Sequence, residues 1–244
     1  MASGFSLDHA SGSMNTVGDL LDLPHPDDDL ALRHGRRRYE YHRFRATAFK
    51  TGNYLRYNGV GPHATVSILT DAAPETIFGV LGAGLLGGHV RFAPDGAVED
   101  AVLFGPTEKV DDYEVQGGCK RIAYGRKPED PTWAYFEREI WSENPFFPET
   151  DVAGDTTLVG EWSQEAALRA ARDVAADLSS DDVVAVRGSL EDSPTLVAGV
   201  LAPLVAGATI LLPDDDQTGT VAVGTTDPPE NRVLDAPTRP PHHD

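Results

Sequence analysis

Ala64-Thr-Val-Ser-Ile-Leu69, Pro74-Glu-Thr-Ile-Phe-Gly-Val-Leu-Gly-Ala-Gly-Leu85 and His89-Val-Arg-Phe92 are the stretches that decide the fold. The first is a short apolar, β-branched run and reads as a strand. Ala73-Pro74-Glu75 opens a helix, with Pro in the first turn, where its missing N–H has no intrahelical partner to lose. Ile77, Phe78, Val80, Leu81, Leu85 and Leu86 make that helix apolar, Gly87-Gly88 ends it, and His89–Phe92 is again a strand. Strand, helix and strand in this order form a βαβ unit, which implies parallel strands with covered faces.

The same alternation extends in both directions. Upstream, Tyr39-Glu40-Tyr41 reads as a short strand, and Phe44, Ala48, Gly52 and Leu55 recur at helical spacing until Asn58-Gly59 stops the helix. Downstream, residues 101–104 and 121–124 read as strands, as do 156–159, 183–186 and 209–212. Residues 162–178 and 195–206 read as helices between them. The expected fold is α/β, a mostly parallel covered sheet from two βαβ blocks, 30–125 and 151–213. An aromatic, Pro-rich connection, 126–150, separates the blocks. A polar leader, 1–29, and an acidic Pro-rich tail, 214–244, flank the blocks, with residues 1–25 and 228–244 expected to be largely without regular structure and at most one short strand expected at 220–223.

Charge is the strongest compositional signal. The 244 residues carry 39 Asp and Glu against 20 Lys and Arg, a net charge of −19. Lys50, Lys109, Lys120 and Lys127 are the lysines, and the other basic residues are arginines. The acids are spread along a chain that is 40% hydrophobic, so disorder is excluded. A surface built for high salt fits best, because the Debye length falls to about 3 Å near molar ionic strength and self-repulsion is screened. A halophile is therefore the expected source. Nucleic acid is excluded as a partner, since phosphate binding needs a positive footprint. Cys119, the lone cysteine, allows no internal disulfide and suits a reducing cytoplasm. The uncharged run 196–212 is short for a membrane span and is divided by Gly199, Pro203 and Gly207, so no span is expected.

Motifs with chemical content are few. Gly82-Ala83-Gly84-Leu85-Leu86-Gly87 spells G-x-G-x-x-G, with Glu99 and Asp100 near the distance of a ribose contact. These glycines, however, end a helix and lead into a strand. That geometry offers carbonyls to a phosphate, so close helix packing is the better reading. No P-loop, nucleophile elbow, H-E-x-x-H or cysteine pair is present. Cys119 reads as a small residue beside the turn Gly117-Gly118. His9, His25, His34, His42, His63 and His89 are scattered, and His242-His243 reads as a solvated pair near the end of the tail. Glu137-Arg138-Glu139 and Trp141-Ser142-Glu143-Asn144 place carboxylates among aromatics, which would do acid–base work only if they converged in a pocket. No catalytic residue and no metal-ligand set is identified.

Residues 30–94 resemble the beginning of the adenylate-forming superfamily: acyl-CoA synthetases, adenylation domains and luciferases. The resemblance lies in Gly35-Arg-Arg-Arg-Tyr39-Glu-Tyr41, Asn53-Tyr-Leu-Arg-Tyr-Asn58-Gly59-Val60-Gly61-Pro62, Pro74–Gly84 and Gly88–Pro94. Residues 151–213 resemble a later segment through Asp181-Asp182-Val183-Val184-Ala185-Val186 and Ala198–Thr209. The resemblance implies the large-domain fold of an acyl-CoA synthetase. It also implies a Ser/Thr/Gly-rich phosphate loop ending in Pro-Lys-Gly between 156–159 and 162–178, where this chain has only Gly160-Glu161. Val223-Gly224-Thr225-Thr226-Asp227 faintly resembles the family's aromatic-Gly-x-Thr-Glu motif but lacks the aromatic, and 244 residues leave no room for the family's later segments and lid.

The expectation is a non-catalytic domain, without cofactor, acting in regulation or assembly through a protein partner or as a homo-oligomer. The alternatives are an acyl or acyl-CoA binding module, and an AMP-forming ligase completed by another chain, which would use ATP, Mg and CoA. If Gly160-Glu161 joins strand directly to helix, Glu161 lies beside the helix's free N–H groups and competes with phosphate for them.

The charge makes folding salt-dependent. Circular dichroism should show structure lost as potassium chloride is withdrawn, with a melting temperature that rises into the multimolar range. Equal melting temperatures in low and multimolar salt would contradict the reading.

Overall fold

A computed structural model describes residues 14–214, 216–238 and 240. The elements in the first half are α1 Val17–Leu21, β1 Leu30–His34, β2 Arg37–Glu40, α2 Tyr41–Tyr57, β3 Thr65–Ile68, α3 Pro74–Leu85, β4 His89–Phe92, β5 Val102–Pro106, α4 Thr107–Asp111 and β6 Lys120–Tyr124. Then come β7 Ala134–Tyr135, α5 Phe136–Ser142, β8 Thr157–Val159, β9 Trp162–Ser163, α6 Gln164–Ala175 and β10 Val183–Val186. The last are α7 Ser193–Leu196, a π-helical turn Val197–Leu201, α8 Ala202–Ala206, β11 Thr209–Leu212 and β12 Val221–Val223.

The strands form two sheets, ordered β12-β10-β11-β1-β2 and β7-β6-β5-β3-β4-β8-β9. All pairings within them are parallel except the hairpins β1–β2 and β8–β9, each of which supplies an edge strand. The expected α/β, mostly parallel, covered architecture is therefore present, but as two sheets. Each sheet takes strands from both halves of the chain: β1 and β2 join β10–β12, and β8 and β9 join β3–β7. The division into blocks 30–125 and 151–213 follows chain order and does not coincide with the sheets.

Helix α3 explains the doubling. All twelve of its residues are buried. A helix apolar on every side needs cover on every side. The larger sheet lies on one side, through β3, β4 and β5, and α2 on another. Helix α2 in turn meets β1 and β2 of the smaller sheet, while α8 and the π turn meet β11 and β10. One apolar core runs from Leu32 and Ile210 in the smaller sheet, through Phe44, Phe78 and Leu168, to Val66 and Val90 in the larger. The helices α2 and α3 approach closely because Gly52 and Gly82 have no side chains. A Cβ on Gly82 would stand 2.9 Å from Thr51 Cγ2 and 3.1 Å from the Gly52 nitrogen. The π turn lies just before Pro203. Proline removes one helical N–H and crowds the preceding turn, and a locally widened helix relieves both effects.

Among the described residues, parts of the expected leader and tail are more ordered than their composition implies. Within the expected leader, Thr16 and Asp19 form a reciprocal capping box at α1, whose Val17, Leu20 and Leu21 are buried. The Val17 N–H donates to Gln164 Oε1 at 2.8 Å, and Gln164 Nε2 donates to the Gly84 carbonyl at 2.8 Å. In the expected tail, residues 217–234 are held against the smaller sheet. Arg187 makes a two-pronged pair with the buried Glu230 (Nε–Oε2 2.8 Å, Nη2–Oε1 2.6 Å) and donates to the Gln217 carbonyl at 2.8 Å. Arg232 Nη1 pairs with Asp182 Oδ1 at 3.2 Å, and Leu234 is buried beside Val184, Val221 and Val223. Net acidity and proline content obscured these anchors, because a few specific pairs suffice to hold such a segment. Residues 1–13 and 241–244, with His9 and His242-His243, lie outside the described residues. Among the described residues, no helix is long and apolar enough to cross a membrane.

Hydrogen bonding by Arg187 holds the Glu230 carboxyl below the usual carboxylate range, against the opposing effect of burial. A depressed acid stabilises the fold above its unfolded pKa, and that contribution disappears as pH falls through the folded value. Glu230→Gln should therefore destabilise the fold near neutral pH by roughly 3–5 kcal/mol, the usual loss on breaking a buried pair. The gap to the parent chain should close progressively on acidification. Denaturant melts of both chains across pH check this, and a gap independent of pH would contradict it.

Candidate functional site

In parallel sheets, ligands bind beyond the carboxyl ends of the strands, at the point where consecutive connections leave in opposite directions. In the larger sheet that point lies between β3 and β5, because the chain leaves β3 for β4 on one side and runs from β5 to β6 on the other. Thr70 and Asp71 follow β3, and Thr107 and Lys109 lie on α4, directly after β5. The ends of β10 and β11 arrive opposite them. Together they form a cleft of about 260 Å³, lined by Thr70, Asp71, Lys109, Ser189, Glu191 and Leu212, among others.

Two sets of hydrogen bonds, one on Asp71 and one on Thr70, order the cleft. Tyr124 Oη, at the end of β6, donates to Asp71 Oδ1 at 2.7 Å and meets Thr76 Oγ1 at 3.1 Å. Thr70 Oγ1 donates to Glu191 Oε1 at 2.6 Å, which joins the β3 end to the segment after β10. Lys109 Nζ donates to the Thr70 carbonyl. Nearby, Arg37 clamps the buried Glu75 at the start of α3 and donates to Tyr39 Oη at 2.6 Å. Burial pushes the Asp71 carboxyl up, partly offset by the Tyr124 hydroxyl, and burial also pushes the Tyr124 phenol up. The ionisable groups lining the cleft are one cation, Lys109, and two carboxylates, Asp71 and Glu191. That balance disfavours an oligophosphate.

The segment where a phosphate loop was expected lies on the same face, since β8 runs parallel to β4. It is a two-residue hairpin turn, with Val159 opposite Trp162 and Gly160 at φ 55°, the first position of a Gly-X turn. A Cβ on Gly160 would lie 3.5 Å from Ser193 Oγ, two residues after the cleft residue Glu191. The structure corrects the expected role of Glu161. β9 intervenes before the helix, and Glu161 is exposed in the turn. The N–H groups at the start of α6 are satisfied by other acceptors. Gln164 donates to the Thr156 carbonyl at 2.9 Å, Glu165 to the Gly154 carbonyl at 2.8 Å, and Ala166 to Ser163 Oγ at 3.2 Å. These three amides are therefore not free to receive a phosphate.

The other sequence candidates have structural roles. Gly82 and Gly84 lie inside α3, packed against α2 and α1. Asp100 accepts from Ser67 and from Arg91 Nη2, the latter at 2.5 Å. Cys119 is buried among Leu69, Val98, Leu103 and Val110, and burial pushes its thiol up, away from nucleophilic thiolate. His25 is bonded to the Leu204 carbonyl at 2.7 Å, and His42 to the Asp27 carbonyl at 2.9 Å. Among the described residues, no group of three or more His, Cys, Asp or Glu is placed to hold a metal. Of the carboxylates in 137–143, Glu137 and Glu143 line separate cavities and so do not converge, while Glu139 pairs with its neighbour Arg138 at 2.5 Å. Asp71, Lys109, Tyr124 and Glu191 were not singled out from sequence. Their common signal is position, in that each ends a strand or closely follows one.

No family model and no curated protein matches the chain by sequence. Solved structures match by fold. One is the anthranilate CoA ligase AuaEII in complex with anthranoyl-AMP, at a TM-score of 0.73 and 14% identity, covering 87% of this chain and 50% of that one. Another is a benzoate CoA ligase from Burkholderia xenovorans LB400, at 0.66 and 18%, covering 86% and 50%. A third is the nonribosomal peptide synthetase FmoA3 with AMPPNP bound, at 0.63 and 16%, covering 81% and 22%. The fold is thus that of the large domain of adenylate-forming enzymes, an acyl-CoA synthetase-like fold. The chain spans about half the length of the ligases it matches.

Proposed function

We propose that the chain is a non-catalytic, acyl-CoA synthetase-like domain of a halophile, acting in regulation or assembly through protein contacts. The Gly160-Glu161 hairpin carries the proposal. Activating a carboxylate with ATP requires many donors preorganised around the transferring group and the departing pyrophosphate. A two-residue turn supplies no wrapping backbone, the N–H groups of Gln164, Glu165 and Ala166 behind it are already bonded, and the strand-end cleft carries more negative than positive charge. The net charge of −19 and the scarcity of lysine support the halophilic origin. Protein contact is supported by the exposed rings of Tyr57, Trp141 and Phe146, on α2 and the neighbouring segment, where a soluble surface ordinarily has polar groups.

Isothermal titration with Mg-ATP in multimolar potassium chloride is expected to show no binding into the millimolar range. Glu161→Gly should behave the same way, because the missing amides rather than the added charge exclude the nucleotide. Micromolar affinity in either chain would overturn the reading.

A further inference from the structure

A second cavity, of about 330 Å³, opens between β2, α2, α5 and the start of α3, and shares no lining residue with the strand-end cleft. This volume is at the lower end of small-molecule pockets, about 300 Å³. Its apolar wall is Phe78, Phe136 and Ile140, and Trp141, 84% exposed, stands at its edge. Arg43 and Lys50 line it from one face of α2, two turns apart.

Arg43 and Lys50 are the two cations that α2 contributes to the cavity. Among the described residues, neither has a carboxylate within salt-bridge distance. Arg43 Nη1 reaches only the Arg38 carbonyl at 3.3 Å and lies over the Tyr39 ring at 4.9 Å. Lys50 Nζ reaches only the carbonyls of Ile140 at 3.4 Å and Trp141 at 3.3 Å. The third lining cation, Arg37, is already matched by Glu75. Glu137 receives the Gly125 N–H on Oε1 at 2.6 Å, while its Oε2 is buried without a partner. Three cations and two carboxylates leave one positive charge over in a part-apolar cavity. Burial pushes the Glu137 carboxyl up, offset in part by the Gly125 N–H.

We propose that this cavity binds a small amphiphilic anion: an aromatic or short aliphatic body against Phe78, Phe136 and Ile140, with one anionic head between Arg43 and Lys50. A single negative charge balances the cavity, and the apolar wall accounts for the body. The site is separate from the nucleotide question, so its failure would leave the non-catalytic reading standing, and the reverse holds too.

The test is calorimetry, with tryptophan fluorescence reporting on Trp141, at a salt concentration where the chain is folded. The probes are phenylacetate, phenyl phosphate and benzenesulfonate, with neutral phenylacetamide and inorganic phosphate as controls. At least one aryl anion should bind saturably and change the fluorescence, and the best binder identifies the head group. Both controls should bind at least about tenfold more weakly. Arg43→Gln and Lys50→Gln, both on the helix surface, should each lower affinity about tenfold without shifting the thermal melt. The proposal is overturned if no aryl anion binds more tightly than about 1 mM, if phenylacetamide or inorganic phosphate binds as well as the best of them, or if both variants bind as the parent does.

Discussion

The close approach of α2 and α3 is the constraint on which the rest of the structure depends. A helix with every residue buried cannot lie at a surface, so the chain must build something on each side of it. The larger sheet covers one side of α3, and α2 covers another and carries the smaller sheet beyond it. That separation is set at Gly52 and Gly82, where a side chain on either residue would collide with its neighbours. Once the sheets are fixed on opposite sides of one helical layer, the carboxyl ends of β3, β10 and β11 open onto a common cleft. The position of the site is therefore a consequence of how the core is packed.

Much of this was legible in the sequence because strong periodicity comes from burial. Strands β10 and β11 begin and end where their β-branched and aliphatic runs do, and α3 runs from its Pro to the leucines before Gly87. Reading the glycines of 82–87 as packing residues followed from polarity alone, since a helix end presents carbonyls. What stayed hidden depended on partners far away in the chain. β1 joins β11 across most of the sequence, so its membership of the smaller sheet has no local signature. The leader and tail read as solvated because their charge and proline content dominate, yet Thr16, Gln164, Arg187 and Glu230 anchor them through individual bonds. Glu161 was misplaced for a similar reason. The short strand β9 carries only Trp162 and Ser163 and is created by pairing with β8.

The candidate site was legible only as an absence. The missing loop was visible as two residues where a longer stretch was expected, but the groups that occupy its place were not. In the fold, the first amides of α6 are bonded to Gly154, Thr156 and Ser163, so the helix terminus is closed from within. The strand-end cleft keeps hydrogen bonds around Asp71, Tyr124 and Thr70 and sets Lys109 against the two carboxylates Asp71 and Glu191. An acyl-CoA synthetase-like fold is thus present together with a polar cleft at the strand ends.

Exchange of radiolabelled pyrophosphate into ATP, dependent on added carboxylic acid, is the most direct test of whether this chain activates acids. Run in high salt with a panel of aromatic and aliphatic acids and with magnesium, the folded chain is expected to give no exchange above the acid-free blank. Exchange that saturates with any one acid, and that is lost on unfolding the chain in low salt, would contradict the account.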